Sequence, residues 1–230
     1  MTIIIAVDGT AASGKGTLAK KLAAHFGFAH LDSGSLYRLV ALGVLEAKGD
    51  PNKEEDAVAA ARAVDPSRAS DPAIRTVEIG NVASIVSAIP AVRAALLEFQ
   101  RAFAATPPGS LPGAVIDGRD IGTVVCPDAA AKLFVDARPE IRAHRRWLEL
   151  AAAGKAPAES AILAEILARD ARDRSRPVAP LKPAPDARLL DTSDLAIDAA
   201  FAAALALVRP GVEDALKARP KGLGRPGGAS

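Results

Sequence analysis

Apolar positions along the chain fall into short runs separated by longer amphipathic stretches. Ile3-Ile4-Ile5-Ala6-Val7 is a continuous, mostly β-branched run that stops at Asp8, and it predicts a strand buried on both faces. Four more short runs end the same way: residues 28–32 at Asp32, 114–117 at Asp117, 132–136 at Asp136 and 189–191 at Asp191. Between them apolar residues recur at helical spacing. Helices are predicted from the loop after Asp8 to about His25, with Leu18, Leu22 and Phe26 on one face, and from an N-cap at Asp32 or Ser33 to about Lys48. Further helices are predicted over 53–64, 74–88, 90–104 (Pro90 in the first turn), 139–152, 159–174 and 194–208. Residues 65–72 and 106–113, rich in Pro, Ser, Asp and Gly, read as a connector and a loop. Five strands alternating with helices predict an α/β fold with a five-stranded parallel sheet covered on both faces. Such a sheet places its chemistry at the carboxyl ends of the strands.

The first strand runs into Gly9-Thr10-Ala11-Ala12-Ser13-Gly14-Lys15-Gly16-Thr17 and then directly into a helix. Small residues let successive backbone N–H groups turn inward, the helix dipole adds partial positive charge, and Lys15 adds a full one. The spacing Gly9-x4-Gly14-Lys15 is that of a P-loop, so Gly9, Thr10, Ala11, Ala12, Ser13, Gly14, Lys15, Gly16 and Thr17 are candidates to hold the phosphates of ATP. The strict pattern has Ser or Thr straight after the lysine; here Gly16 intervenes before Thr17. That Gly-Lys-Gly-Thr variant resembles the nucleoside-monophosphate kinases more than GTPases or motor ATPases.

Composition narrows the alternatives. A 230-residue chain that is half hydrophobic suits one domain with small insertions. A single cysteine, Cys126, excludes an internal disulfide and a multi-cysteine zinc site. His25, His30 and His144 lack a metal-ligand spacing and are expected to be surface or internally satisfied histidines. No signal peptide is visible and no apolar stretch approaches the ~18 residues of a membrane span, so a cytoplasmic monomer without a membrane partner is expected. The net charge of +2 resides in residues 211–230, which leaves 1–210 neutral. Nucleic acid is therefore not an expected partner, and 209–230 reads as a flexible, basic, Pro/Gly-rich tail.

Phosphoryl transfer between nucleotides requires many phosphate charges to be neutralised and two substrates to be aligned, and bidentate arginines serve both ends. Arg38 follows the second strand, and Arg119 follows the third in Asp117-Gly118-Arg119-Asp120. In Arg169-Asp170-Ala171-Arg172-Asp173-Arg174-Ser175-Arg176, the arginines 169, 172 and 176 share a helical face. Such a run is either a solvated, salt-bridged face or a lid. After the break at Gly154, and in a chain with a P-loop, residues 154–176 read as a lid that closes cations onto phosphate and excludes water. The catalytic candidates are Lys15, Arg119, Arg169, Arg172 and Arg176, with Arg172 also directed at ATP. Asp117 is the candidate to organise Mg²⁺ through water; the competing reading pairs it with Arg119 or Lys15. Thr17 is the nearest hydroxyl to the metal position, and direct ligation by it is not expected.

The motifs Gly9–Thr17, Leu31–Arg38, Asp117–Val125 and Arg169–Arg176 with Val178-Ala179-Pro180-Leu181 resemble those of bacterial cytidylate kinases. So do Asn81-Val82-Ala83-Ser84 and Pro90-Ala91-Val92-Arg93, and the motifs run in family order over nearly all of residues 3–208. The resemblance implies transfer of the ATP γ-phosphate to CMP or dCMP. It implies that Ser33, Arg38, Arg119 and Arg176 hold the acceptor phosphate, that Ser84, Arg93 and Asp120 read the cytosine, that Arg169 and Asp173 lie near the ribose, and that Tyr37 lies near the acceptor. It implies one kinase domain over 1–208 with an acceptor-binding insertion at 38–104. Residues 65–73 show no strand alternation where the family carries a small antiparallel sheet, so a trimmed, helical insertion is expected. The competing readings are another nucleoside-monophosphate kinase (UMP/CMP or AMP) and a non-catalytic nucleotide-binding regulator. A shikimate-type kinase is remote, having no use for a Ser84/Arg93 base reader. A regulator needs no second phosphate site, which the acceptor-side and lid arginines supply.

Overall fold

The computed structural model describes residues 2–152, 154 and 157–218. Strand β1 (Ile3–Gly9) leads into α1 (Lys15–Phe26), β2 (Ala29–Asp32), α2 (Ser33–Glu46) and α3 (Glu54–Arg62). Two 3-10 turns, Pro66–Ser70 and Pro72–Arg75, precede α4 (Val77–Val86) and α5 (Pro90–Ala105). Then follow β3 (Gly113–Gly118), a π-helical turn (Ile121–Val125), β4 (Ala131–Asp136), α6 (Pro139–Ala152), α7 (Glu159–Ser175), β5 (Arg188–Asp191) and α8 (Ile197–Lys217). All strand pairings are parallel, in the order β2-β3-β1-β4-β5.

The central position of β1 follows from its sequence. Ile3, Ile5 and Val7 face α1 and α8, packing with Leu18, Leu22, Leu133, Val135, Ala204 and Val208. Ile4 and Ala6 face the other way, toward Ala114, Ile116, Ala104 and the π-helical turn. A strand with no polar face has to be covered on both sides. Helices α2 to α5 enclose a second core, in which Leu36, Val40, Val44, Ile74, Val86 and Val92 are fully buried. A third, small core joins α6 to α7 through Ala143, Ile162 and Ile166, and Ala12 of the P-loop packs against it.

Local signals explain most boundaries. The Asp32 side chain caps α2 by accepting from the Ser35 N–H, and Pro90 occupies the first turn of α5. Residues 65–72 fold as capped 3-10 turns, with Asp65 and Asp71 each accepting a backbone N–H two residues on. Neither turn is a strand, so the segment between α3 and α4 consists of 3-10 turns and short links. Two elements depart from the sequence reading. Helix α8 was expected to stop at 208 and instead runs to Lys217 through Pro210, so 209–217 belong to the helix and not to the tail. Proline lacks the helical N–H, which is why the pattern reads as a stop there. The π-helical turn was not expected at all, being held by a side chain from a distant strand. The remainder of the expected tail, 219–230, lies outside the described residues, as do 153, 155 and 156 within the expected lid.

Candidate active site

A cleft opens at the carboxyl edge of the sheet, beside the P-loop. Lys15, Gly16, Ser33, Tyr37, Arg38, Arg93, Asp117, Arg119, Asp120, Arg169, Asp173 and Arg176 all line it. These residues come from α1, α2, α5, the end of β3 and the end of α7, so the sheet edge gathers groups far apart in sequence.

The P-loop is shaped by close packing. A Cβ on Gly9 would lie 1.9 Å from the Val135 carbonyl oxygen, so only glycine lets β1 turn there. Gly14 caps α1 at φ 87° without a side-chain bond, which leaves the first N–H groups of that helix free for an anion. Thr10 is committed elsewhere: its N–H goes to the Val135 carbonyl at 3.3 Å and its hydroxyl to Asp136 Oδ1 at 2.6 Å. The Ser13 hydroxyl is buried and donates to the Thr10 carbonyl at 3.0 Å. Both side chains therefore shape the loop. Thr17 is exposed.

The cations are crowded and under-compensated. Burial, and then the neighbouring Arg119, push the Lys15 ammonium down to about 8. Burial and Arg119 likewise hold Arg169 down to about 10, and burial with Arg146 and Arg75 holds Arg38 down to about 10. Arg169 Nε and Arg176 Nη2 are buried with no hydrogen-bond partner among the described residues. Buried donors are ordinarily satisfied, so orphaned guanidinium N–H groups beside a P-loop suit an anionic ligand such as phosphate. Asp173 is the local counter-charge. It accepts from Arg119 Nε at 3.0 Å, and although burial opposes its charge, Arg119 and Arg169 hold its carboxyl below the usual carboxylate range.

On the other wall, Arg93 Nη2 donates to Asp120, both nearly buried, and the Arg93 guanidinium lies 5.4 Å from the Tyr37 ring centre. Arg93 Nη1 also donates to the Ser87 carbonyl at 3.2 Å. Arg38 Nη1 donates to the Ile74 carbonyl at 2.7 Å, and the Ser33 hydroxyl to the Asp117 carbonyl at 2.7 Å.

Some expected groupings differ. Helix α7 ends at Ser175, so Arg176 enters the cleft from extended backbone beyond the helix, its Nε on the Ala179 carbonyl at 2.6 Å. Arg172 turns away from the cleft and donates to the Ser84 hydroxyl at 3.2 Å, bridging α7 to α4. Asp117 pairs with neither Arg119 nor Lys15. Its Oδ2 meets His30 Nε2 at 2.9 Å, the histidine lying on β2 opposite Val115, two positions before Asp117, so His30 is an internally satisfied histidine. The other Asp117 oxygen, Oδ1, faces the P-loop, 3.8 Å from where a Gly16 Cβ would stand. Among the described residues no group of three or more His, Cys, Asp or Glu side chains could cage a metal. One strand-end carboxylate beside a phosphate loop fits Mg²⁺, which keeps most of its waters and is shared with substrate phosphates.

Sequence reasoning missed several contributors. Arg75 lines the cleft from a 3-10 turn and reaches Asp32 at 3.5 Å. Arg142 is 1% exposed; it donates to the Ala11 carbonyl of the P-loop at 3.1 Å and to Asp170 with both Nη atoms, at 3.2 and 2.6 Å. Asp8 accepts the Ile121 and Gly122 N–H groups, each at 2.7 Å. A strand-terminal aspartate was a visible signal for Asp8. Nothing local marks Arg142, whose neighbours make it look like one more solvated helix cation.

Comparison with known proteins agrees with this geometry. A family model described as "Cytidylate kinase" matches residues 5–210. The chain is 57% identical over 206 residues to the protein named cytidylate kinase of Afipia carboxidovorans, spanning 90% of this chain and 97% of that one. It is 55% identical over 206 residues to the cytidylate kinase of Bradyrhizobium diazoefficiens, spanning 90% and 95%. In fold alone it resembles the crystal structure of an uncharacterized protein from Eubacterium ventriosum, at TM-score 0.50 and 16% identity over 90% of this chain and 99% of that one. With a P-loop cleft crowded with arginines, a family model over residues 5–210 and relatives matched over 90% of its length, this chain belongs to the cytidylate kinase family.

Proposed function

We propose that this protein transfers the γ-phosphoryl group of ATP to CMP or dCMP, giving ADP and CDP or dCDP. The observation that carries this reading is the buried Arg93–Asp120 pair beside Tyr37, in the same cleft as Lys15 and the orphaned donors of Arg169 and Arg176. A base reader and a phosphate cradle in one cleft suit a nucleotide acceptor. Cytosine offers an amino donor beside ring acceptors, which a carboxylate and a guanidinium complement; uracil has a carbonyl in place of the amine and would face Asp120 with like polarity.

In this reading the N–H groups at the start of α1 and Lys15 hold the donor phosphates. Ser33, Arg38, Arg119 and Arg176 hold the acceptor phosphate, and Arg169 and Asp173 lie toward the ribose. Residues 38–104 are the acceptor-binding insertion and 154–176 the lid. Arg169 and Arg176 neutralise charge on the transferring group, and Arg172 joins them only by leaving Ser84. Asp117 would hold Mg²⁺ through water; when bound, Mg²⁺ neutralises charge on the phosphate oxygens. The protein aligns an attacking acceptor oxygen with the γ-phosphorus and excludes water, so little covalent work falls to its side chains. A cytoplasmic location goes with consumption of the ATP and CMP pools.

Side-by-side assays with ATP and Mg²⁺ test the reading across CMP, dCMP, UMP and AMP. CMP and dCMP are expected to be the best acceptors by kcat/KM; a clear preference for UMP or AMP would overturn it.

A further inference from the structure

We infer that Asp8 is a positioning residue for acceptor recognition: by capping the turn after Asp120 from the central strand, it frees the Asp120 carboxylate to face Arg93 and the acceptor base. The inference rests on the reading above, in which Asp120 contacts cytosine.

Asp120 immediately precedes the π-helical turn, at φ −144° and ψ 26°. An aspartate in that position ordinarily turns its carboxylate back onto the open N–H groups of its own turn. Here the Asp120 side chain makes no capping bond. Two of the turn's first three N–H groups, those of Ile121 and Gly122, are taken by Oδ1 and Oδ2 of Asp8, each at 2.7 Å. The Asp120 backbone is held as well, its carbonyl accepting from Val124 at 2.9 Å and Val125 at 3.2 Å. Its carboxylate is left to bond Arg93.

Asp8 suits this task because it is enclosed on the central strand. It is 4% exposed and sits on the central strand, opposite Gly118 on one side and Phe134 on the other. The Gly122 side is equally tight: a Cβ there would lie 3.1 Å from Lys132 Cδ and 3.4 Å from Asp8 Oδ2. An asparagine at position 8 keeps the shape but offers one acceptor oxygen, and its amide would point N–H at N–H. The nearest replacement cap is then Asp120 itself, at the expense of its bond to Arg93.

The test compares wild type, Asp8→Asn, Asp120→Asn and the double variant for KM and kcat with CMP, UMP and ATP. Asp8→Asn is expected to raise KM for CMP roughly tenfold and to shrink the CMP-over-UMP preference, with KM for ATP within about twofold. In the double variant the preference should fall no further than in Asp120→Asn alone, because both changes act on one group. Equal increases in both KM values, or additive losses of preference, would overturn the inference. A wild type without CMP preference overturns the base assignment and this inference with it; a CMP-preferring wild type whose Asp8→Asn form keeps its preference overturns this one alone. Should Asp8→Asn fail to melt cooperatively, Gly122→Ala sets a Cβ between Lys132 and Asp8 Oδ2 and crowds the same turn off Asp8. It should show the same KM split, and its absence overturns the inference.

Discussion

Lys15 carries its charge among other cations, and burial with Arg119 holds it near 8. Bound phosphate would relieve both pressures and favour the ammonium form. If Lys15 holds the donor phosphates as proposed, the free enzyme loses the proton it needs above that value, and kcat/KM for ATP should fall by about tenfold per pH unit above about 8. A profile taken from about pH 6.5 to 9.5 should show this limb, and Lys15→Arg should lack it. A limb that begins near the ordinary lysine value would contradict the environment seen here. At the opposite wall, Arg93→Ala leaves Asp120 without its guanidinium. If Arg93 reads the acceptor base as proposed, KM for CMP rises by about tenfold or more with KM for ATP little changed, because a contact made throughout acceptor binding is removed. Steady-state kinetics with each substrate varied in turn would reveal the split.

Helix α7 is held by a buried ion pair as well as by its small apolar core with α6. Arg142 from α6 holds Asp170, the residue next to Arg169, and at the same time holds the Ala11 carbonyl of the P-loop and the Ala137 carbonyl beyond β4. The P-loop, α6 and α7 are thereby one mechanical unit. Asp170→Ala strands a fully buried guanidinium and should destabilise the protein by about 3–5 kcal/mol. The Arg142→Met/Asp170→Leu double variant should cost less than that single one, since no uncompensated charge remains; urea unfolding measures both. Helix α8 is fitted just as closely. A Cβ on Gly211 would lie 2.1 Å from the Ala130 carbonyl oxygen, so Gly211→Ala has to push the helix off the start of β4. The expected loss is about 1–3 kcal/mol, visible as a lower urea midpoint at unchanged slope.

Over the whole molecule, Asp8 leaves a mark on stability against pH. Burial raises its carboxyl from an ordinary 3.8 to about 6, in spite of the two N–H bonds it accepts. Between those values the folded protein holds a proton that the unfolded chain has released, so this group's contribution falls as pH rises through the window. The fall is at most about 3 kcal/mol and is complete above about pH 6.5. Subtracting the Asp8→Asn unfolding profile from that of wild type isolates it; a difference that stays flat between about pH 4 and 6 would refute the assignment.

Much of this architecture was legible in local pattern. Strand β1, the P-loop, the Asp32 cap and Pro90 at the start of α5 are short-range features: a continuous apolar run, a missing Cβ, a capping side chain or a preset φ acts within a few residues. The parallel sheet followed, because apolar strands alternating with helices have few other ways to cover both faces. The motifs also named the residues that could serve two nucleotides. Only the tertiary structure decided the partners. Asp8 bonds N–H groups 113 and 114 positions away, Asp117 meets His30 at 87, Arg172 meets Ser84 at 88, and Arg142 meets Asp170 at 28. A side chain's charge is written in the sequence. Which opposite charge it meets depends on the chain path that brings them together, and on the burial that makes their pairing obligatory.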